Sequence, residues 1–180
     1  MINSDSGPLR AGRAGRKNYM RTLIVFYSMS ENCAYTAGQI AKRTDADLLR
    51  IDPVKAYPDT GFKKFYWAGK SAVMGESPAL QPYAFKAGDY DRIIFGFPVW
   101  AGTFAPPIRT FIKENGEEIR GKKIAAFTCM SGKGGTRALE KLKSLLKKDT
   151  LEAEMVLIDP KEKPNPENEK SIQAFCEKLS

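Results

Sequence analysis

The chain contains no histidine in its 180 residues. That absence removes Ser-His-Asp and Cys-His nucleophile systems, histidine-ligated haem and the common zinc sites. Any chemistry on this chain would therefore fall to a cofactor. Cysteine is scarce. Cys33, Cys129 and Cys176 have no Cys-x-x-Cys spacing, and they read as free thiols of a reducing cytoplasm, not as a disulfide framework. The apolar runs are far shorter than a membrane span. Residues 1–20 lack the apolar segment of a secretion signal. There is no G-x-G-x-x-G and no nucleoside-triphosphate loop with its lysine.

What is present is enough for one domain with a real core, since 42% of the residues are hydrophobic. The formal net charge is +8. Arg10, Arg13, Arg16 and Lys17, against Asp5, place part of that charge in a Gly/Ser/Arg-rich stretch. Residues 1–19 are expected to be a disordered basic extension. Met20, directly before the first strand, is a candidate natural start, and residues 20–180 are expected to form a single domain.

Strand-like runs occur at about 21–27, 47–51, 92–97, 122–128 and 154–158. The runs Arg92-Ile93-Ile94-Phe95-Gly96-Phe97 and Lys123-Ile124-Ala125-Ala126-Phe127 are almost continuously apolar, as befits strands buried on both faces of a parallel sheet. Helical patterns lie between them. Ala34, Ala37, Ile40 and Ala41 make one face; Phe104, Ile108, Phe111 and Ile112 another, with Pro106 and Pro107 in the first turn. Leu139, Leu142, Leu145 and Leu146 make a third, beside a lysine-rich face, and Ile172, Phe175 and Leu179 a fourth. Phe62, Phe65, Tyr66 and Gly69 offer a further helical face, with Tyr66 and Trp67 expected to pack. This alternation implies a three-layer α/β fold with right-handed crossovers.

Ligands of such a sheet sit beyond the carboxyl ends of its strands. Three segments fall there. Ser28-Met29-Ser30-Glu31-Asn32-Cys33 follows the first strand and opens a helix. Free N–H groups and the helix dipole favour a phosphate there, and Ser28 and Ser30 could add hydroxyl donors. Pro98-Val99-Trp100-Ala101-Gly102-Thr103 follows the third strand, with Trp100 expected at a loop tip. Thr128-Cys129-Met130-Ser131-Gly132-Lys133-Gly134-Gly135 follows the fourth, and its glycines let a ligand approach the backbone. Together they suit a planar ring on a chain with one phosphate. Each has a plainer reading: helix capping for Ser28 and Ser30, a core position for Trp100, an ordinary turn for Gly132, Gly134 and Gly135. Cys33 could be a reactive thiolate at a helix N-terminus, but a small buried residue is the favoured reading.

In these segments the chain resembles the flavodoxin-like FMN-binding proteins. Ser28 to Cys33 follows the pattern S/T-x-S/T-G-N-T, and Gly96-Phe97-Pro98-Val99-Trp100 follows the Gly-x-Pro-x-Trp of one short-chain branch. Pro107, Phe111 and Gly121-Lys122-Lys123 fit the same branch. The resemblance implies a five-stranded parallel sheet of order 2-1-3-4-5 with helices on both faces. It implies FMN as cofactor: Ser28, Ser30, Asn32 and Cys33 on the ribityl phosphate, Trp100 and its neighbours Pro98, Val99, Ala101 and Gly102 at the isoalloxazine. Thr128, Cys129, Met130, Ser131, Gly132 and Gly135 would border the ring edge and the ribityl chain. Two departures stand out. Glu31 replaces the usual Gly and Cys33 the usual Thr. A carboxylate about 4 Å from a phosphate charge costs on the order of 1 to 4 kcal/mol. Glutamate takes positive φ less readily than glycine, and a thiol is a weak donor. FMN affinity below that of a typical flavodoxin is the expectation.

The resemblance implies a redox protein in one of two forms. One is an electron carrier acting on a partner protein; the other is a reductase passing electrons from NAD(P)H to a quinone-like acceptor. The basic charge of the folded part points to an acidic partner. A flavodoxin fold that has lost FMN and serves as a binding module is the competing class, with Glu31 and Cys33 in its favour. Charge alone suggests nucleic acid, and no motif supports it. The lysine run along 141–148 reads as a solvated helix face.

Overall fold

The computed structural model describes residues 20–58 and 69–180. The basic extension at 1–19 and the positions Phe62, Phe65, Tyr66 and Trp67 lie outside the described residues. In chain order the elements are β1 (Thr22–Phe26), α1 (Asn32–Thr44), β2 (Asp47–Arg50), β3 (Arg92–Trp100), β4 (Thr103–Phe104), α2 (Pro106–Ile119), β5 (Lys123–Met130), α3 (Gly135–Leu146), β6 (Glu154–Ile158) and α4 (Pro166–Lys178). Between β2 and β3 the chain includes helical residues 69–73 and an antiparallel bridge between Pro53 and Leu80.

The sheet runs β2-β1-β3-β5-β6, and every pair along that path is parallel. This is the expected 2-1-3-4-5 order once the two-residue β4 is set aside. Alternation along the strands divides the core. Leu23, Val25, Tyr27, Ile93, Phe95 and Phe97 face β4, α2 and α3, where Phe104, Ile108, Phe111, Leu139 and Leu142 meet them. Ile24, Phe26, Ile94, Phe127 and Cys129 face α1 and α4 and pack on Cys33, Ala37, Ile40, Ile172 and Phe175. Burying each large side chain stabilises the fold by roughly 1.5–3 kcal/mol, so both faces are needed to hold the sheet. The α1–α4 layer is tight at Gly96, where an added Cβ would lie 2.3 Å from the Phe127 ring.

The structure corrects one expectation about the second loop. β3 does not end at Phe97 but continues through Pro98 and Val99 to Trp100. Ala101 (φ 50°) and Gly102 (φ 69°) then turn the chain into β4, which pairs antiparallel with the end of β3. Pro98 is tolerated for a local reason. Gly96 O accepts from Tyr27 N, so Pro98, two residues on, also faces the β1 side. β1 has already ended there, and the missing N–H breaks no ladder bond. Phe104 accordingly sits in β4 and not in the helix that follows. Thr128, Cys129 and Met130 likewise belong to β5, which shortens the third loop to Ser131–Gly134.

Candidate functional site

The three segments converge at the carboxyl edge of the sheet, where strand order reverses between β1 and β3. The first forms a loop over the N-terminus of α1. Ser28 is buried, and its Oγ accepts from Ala34 N at 3.2 Å. The N–H groups of Ser30, Glu31, Asn32 and Cys33 have no acceptor among the described residues. They are the donors that a helix N-terminus leaves for an anion. Asn32 fixes the loop from within. Its Nδ2 donates to Ser30 Oγ at 3.4 Å, and its Oδ1 accepts from Lys161 N at 2.9 Å.

Glu31 adopts φ 61°, ψ 0°. This is the left-handed conformation that glycine takes cheaply and other residues take at about 1–2 kcal/mol. The loop thus keeps a glycine-like backbone with a glutamate in it. The carboxylate is paired with Arg50, Nη1 to Oε1 at 3.0 Å. The same guanidinium donates through Nη2 to Ser28 O at 2.9 Å and through Nε to Asp52 Oδ2 at 3.1 Å. Partial burial works against the Arg50 charge, but the Glu31 and Asp52 carboxylates outweigh it and hold the group more firmly protonated. Glu31 is thereby paired with a residue at the end of β2, which it shares with Asp52.

Cys33 is 1% exposed and points into the α1–α4 core against Cys129. Burial, then the adjoining Cys129 thiol, pushes the Cys33 thiol well up. It is a packed neutral group, as the plainer reading held, and only its N–H faces the loop. Thr36 Oγ1 lies 3.6 Å from Cys129 Sγ, joining the two segments underneath.

Trp100 is not at an exposed loop tip. It is 9% exposed, at the end of β3, and meets Tyr27 and Tyr57 edge-on, with ring centroids 5.7 and 4.9 Å away. The hairpin turn beyond it touches the third loop. An added Cβ on Gly134 (φ 104°) would lie 3.1 Å from Gly102 Cα and 3.6 Å from Val99 Cγ1. Gly135 lies so close to Val156 that a Cβ would come within 2.5 Å of its Cγ1. Glycine is thus required at both positions by close approach. Thr128 is fully buried and donates to Phe97 O at 2.8 Å. Ser131 Oγ donates to Asp159 Oδ1. Asp159 has φ 42° and a side chain only 2% exposed, and also pairs with Lys163 at 3.1 Å. The Ser131 bond first, then Lys163, holds its carboxyl below the usual range.

Sequence reasoning missed Arg50, Tyr27, Tyr57, Asp159 and Lys161. A charged residue closing the short strand Asp47-Leu48-Leu49-Arg50 was the available signal for Arg50. An aromatic residue directly after β1 was the signal for Tyr27. Nothing local marked Asp159 or Lys161, whose partners lie 28 and 129 residues away.

The arrangement can hold one phosphoryl group on backbone donors, with an aromatic wall on the next strand and a glycine-bearing loop beyond. A family model described as Flavodoxin matches residues 21–165, and the chain belongs to that family. Solved structures share the fold. A flavoprotein from Lactobacillus acidophilus NCFM in complex with FMN is 24% identical. The match covers 80% of this chain and 96% of that one, with a TM-score of 0.65. A protein from Bacteroides eggerthii DSM 20697 is 20% identical over 89% of this chain and 98% of that one, with a TM-score of 0.71. Oxidised flavodoxin 1 from Bacillus cereus is 20% identical over 88% and 96%, with a TM-score of 0.52.

Proposed function

We propose that this chain binds FMN non-covalently and transfers electrons through it. The observation that carries the reading is the row of N–H groups from Ser30 to Cys33, without acceptors among the described residues, set over α1 at the β1–β3 reversal. Membership in the flavodoxin family supports it. These donors would hold the phosphate, with Ser28 and Asn32 bracing the loop. Trp100, the Ala101–Gly102 turn and the Ser131–Gly134 loop would border the ring. When bound, the flavin supplies the redox chemistry. The protein's part is to orient it, cover it with apolar side chains and set the local field.

That field is positive overall, since the chain carries 29 Lys and Arg against 21 Asp and Glu. A positive surface favours an acidic redox protein or an anionic small acceptor as partner. The site lies in a cytoplasmic protein on this reading; no helix among the described residues is long and apolar enough to cross a membrane. Titrating the protein into micromolar FMN, and following the loss of flavin fluorescence, tests the proposal. Saturable quenching is expected, and unchanged fluorescence overturns it in favour of a binding module without flavin. Steady-state oxidation of NADPH in the presence of a quinone then separates a reductase, which turns over, from a carrier, which does not.

A further inference from the structure

Glu31 is the one carboxylate within the loop Ser28–Cys33, and it stands among the donors that would meet a phosphate. The fold answers it from the neighbouring strand. Arg50 ends β2, and its planar guanidinium binds three groups at once: the Glu31 carboxylate at 3.0 Å, the Ser28 carbonyl at 2.9 Å and Asp52 at 3.1 Å. The first two belong to the loop itself. Arg50 and Glu31 are both roughly half-exposed, so their pairing adds little to overall stability. Its effect is local, on the charge that an anion entering the loop would feel.

We propose that Arg50 is the positioning residue for phosphate recognition in this chain. It holds the Glu31 carboxylate on its own guanidinium, fixes the Ser28 carbonyl at the foot of the loop, and lets a glutamate occupy a place that otherwise repels a dianion. The inference rests on the FMN reading above. A cation at residue 50 and an anion at residue 31 therefore form one unit, and losing only the cation is worse than losing both.

Fluorescence titrations with FMN and with riboflavin, which lacks the phosphate, test this on the intact chain. Arg50→Met should weaken FMN binding at least about tenfold and riboflavin binding less than about threefold, because the uncovered charge acts on the phosphate alone. Adding Glu31→Gln to Arg50→Met should return FMN affinity to within about threefold of Glu31→Gln alone. Arg50→Lys, which keeps the charge, should keep most of the FMN affinity, and thermal melts of each variant establish that it is folded. Equal losses for both flavins, or no rescue by Glu31→Gln, overturn the role of Arg50 while leaving FMN binding intact. Wild-type protein that binds FMN no more tightly than riboflavin overturns the phosphate loop itself, and this proposal with it.

Discussion

At the edge where the strands begin, charged groups are locked in pairs. Arg92, with a side chain 5% exposed, donates to both oxygens of Glu152 at 2.6 and 2.8 Å. Tyr90 Oη donates to Asp47 at 3.0 Å, and Arg21 N donates to Asp91 at 2.8 Å. The left-handed residues of this end, Asp45 and Lys147, do no more than finish helices α1 and α3. At the edge where the strands end, Glu31, Ala101, Gly102, Gly134 and Asp159 all take positive φ in loops. In the first of these loops the N–H groups of Ser30 to Cys33 have no acceptor among the described residues. One edge spends its polar groups on the fold; the other keeps strained loops that closely packed neighbours hold in place. Strain of this kind persists only where surrounding structure over-determines it, and it gathers at ligand sites.

Arg92→Met should show the largest stability effect, a loss of about 3 kcal/mol, because it leaves the partly buried Glu152 with only Lys123 as a partner. Chemical denaturation measures it, and flavin affinity should not change. Its pH dependence sharpens the contrast. Arg92 first, then Lys123, holds the Glu152 carboxyl below its usual range despite desolvation. A depressed carboxylate contributes stability above its unfolded pKa, near 4.5, and that contribution is lost as pH falls through the lower folded value. Acid melts of Arg92→Met should therefore be flatter than those of the wild type below about pH 4.5.

At the opposite edge, Gly134→Ala should cost about 2 kcal/mol, since a Cβ at φ 104° meets the Gly102 backbone at 3.1 Å. Flavin affinity should fall with it, which a paired melt and titration would read. Ser131→Ala removes the donor to Asp159 and should cost about 1–2 kcal/mol. Asp159 is also depressed, so its share of stability is present above about pH 4 and disappears as pH falls through its folded value. The Ser131→Ala melt should lose part of that acid dependence. The smallest effect is expected at Glu31→Gly. Release of the left-handed strain should slightly exceed the lost ion pair and the added chain entropy, raising stability by about 0.5 kcal/mol. A destabilised Glu31→Gly variant would mean that Arg50 and Glu31 matter to the fold more than their exposure implies.

Much of the fold was legible because buried parallel strands write themselves as continuous apolar runs. The run at 154–158 coincides with β6, and that at 21–27 overlaps β1 with one extra residue at each end. The end of β3 was hidden by Pro98, which reads as a break unless the neighbouring strand is known to have stopped. Trp100 was hidden for a similar reason. Its burial depends on Tyr27 and Tyr57, which lie 73 and 43 residues earlier in the chain. The anion loop was legible in outline from Ser28, Ser30 and Asn32. The partner of Glu31 was not legible, because Arg50 lies 19 residues further on, at the end of a neighbouring strand.

Taken alone, the sequence determined the alternation of strands and helices, the exclusion of histidine chemistry and the place of the three rim segments. Those features follow from local residue types and from apolar periodicity, which act over a few residues. Only the tertiary structure decided that Glu31 is paired with Arg50, that Cys33 turns inward to Cys129 and that Trp100 is walled in by tyrosines. Those outcomes depend on side chains brought together by neighbouring strands and loops, and no local pattern encodes a partner that the fold supplies from far along the chain.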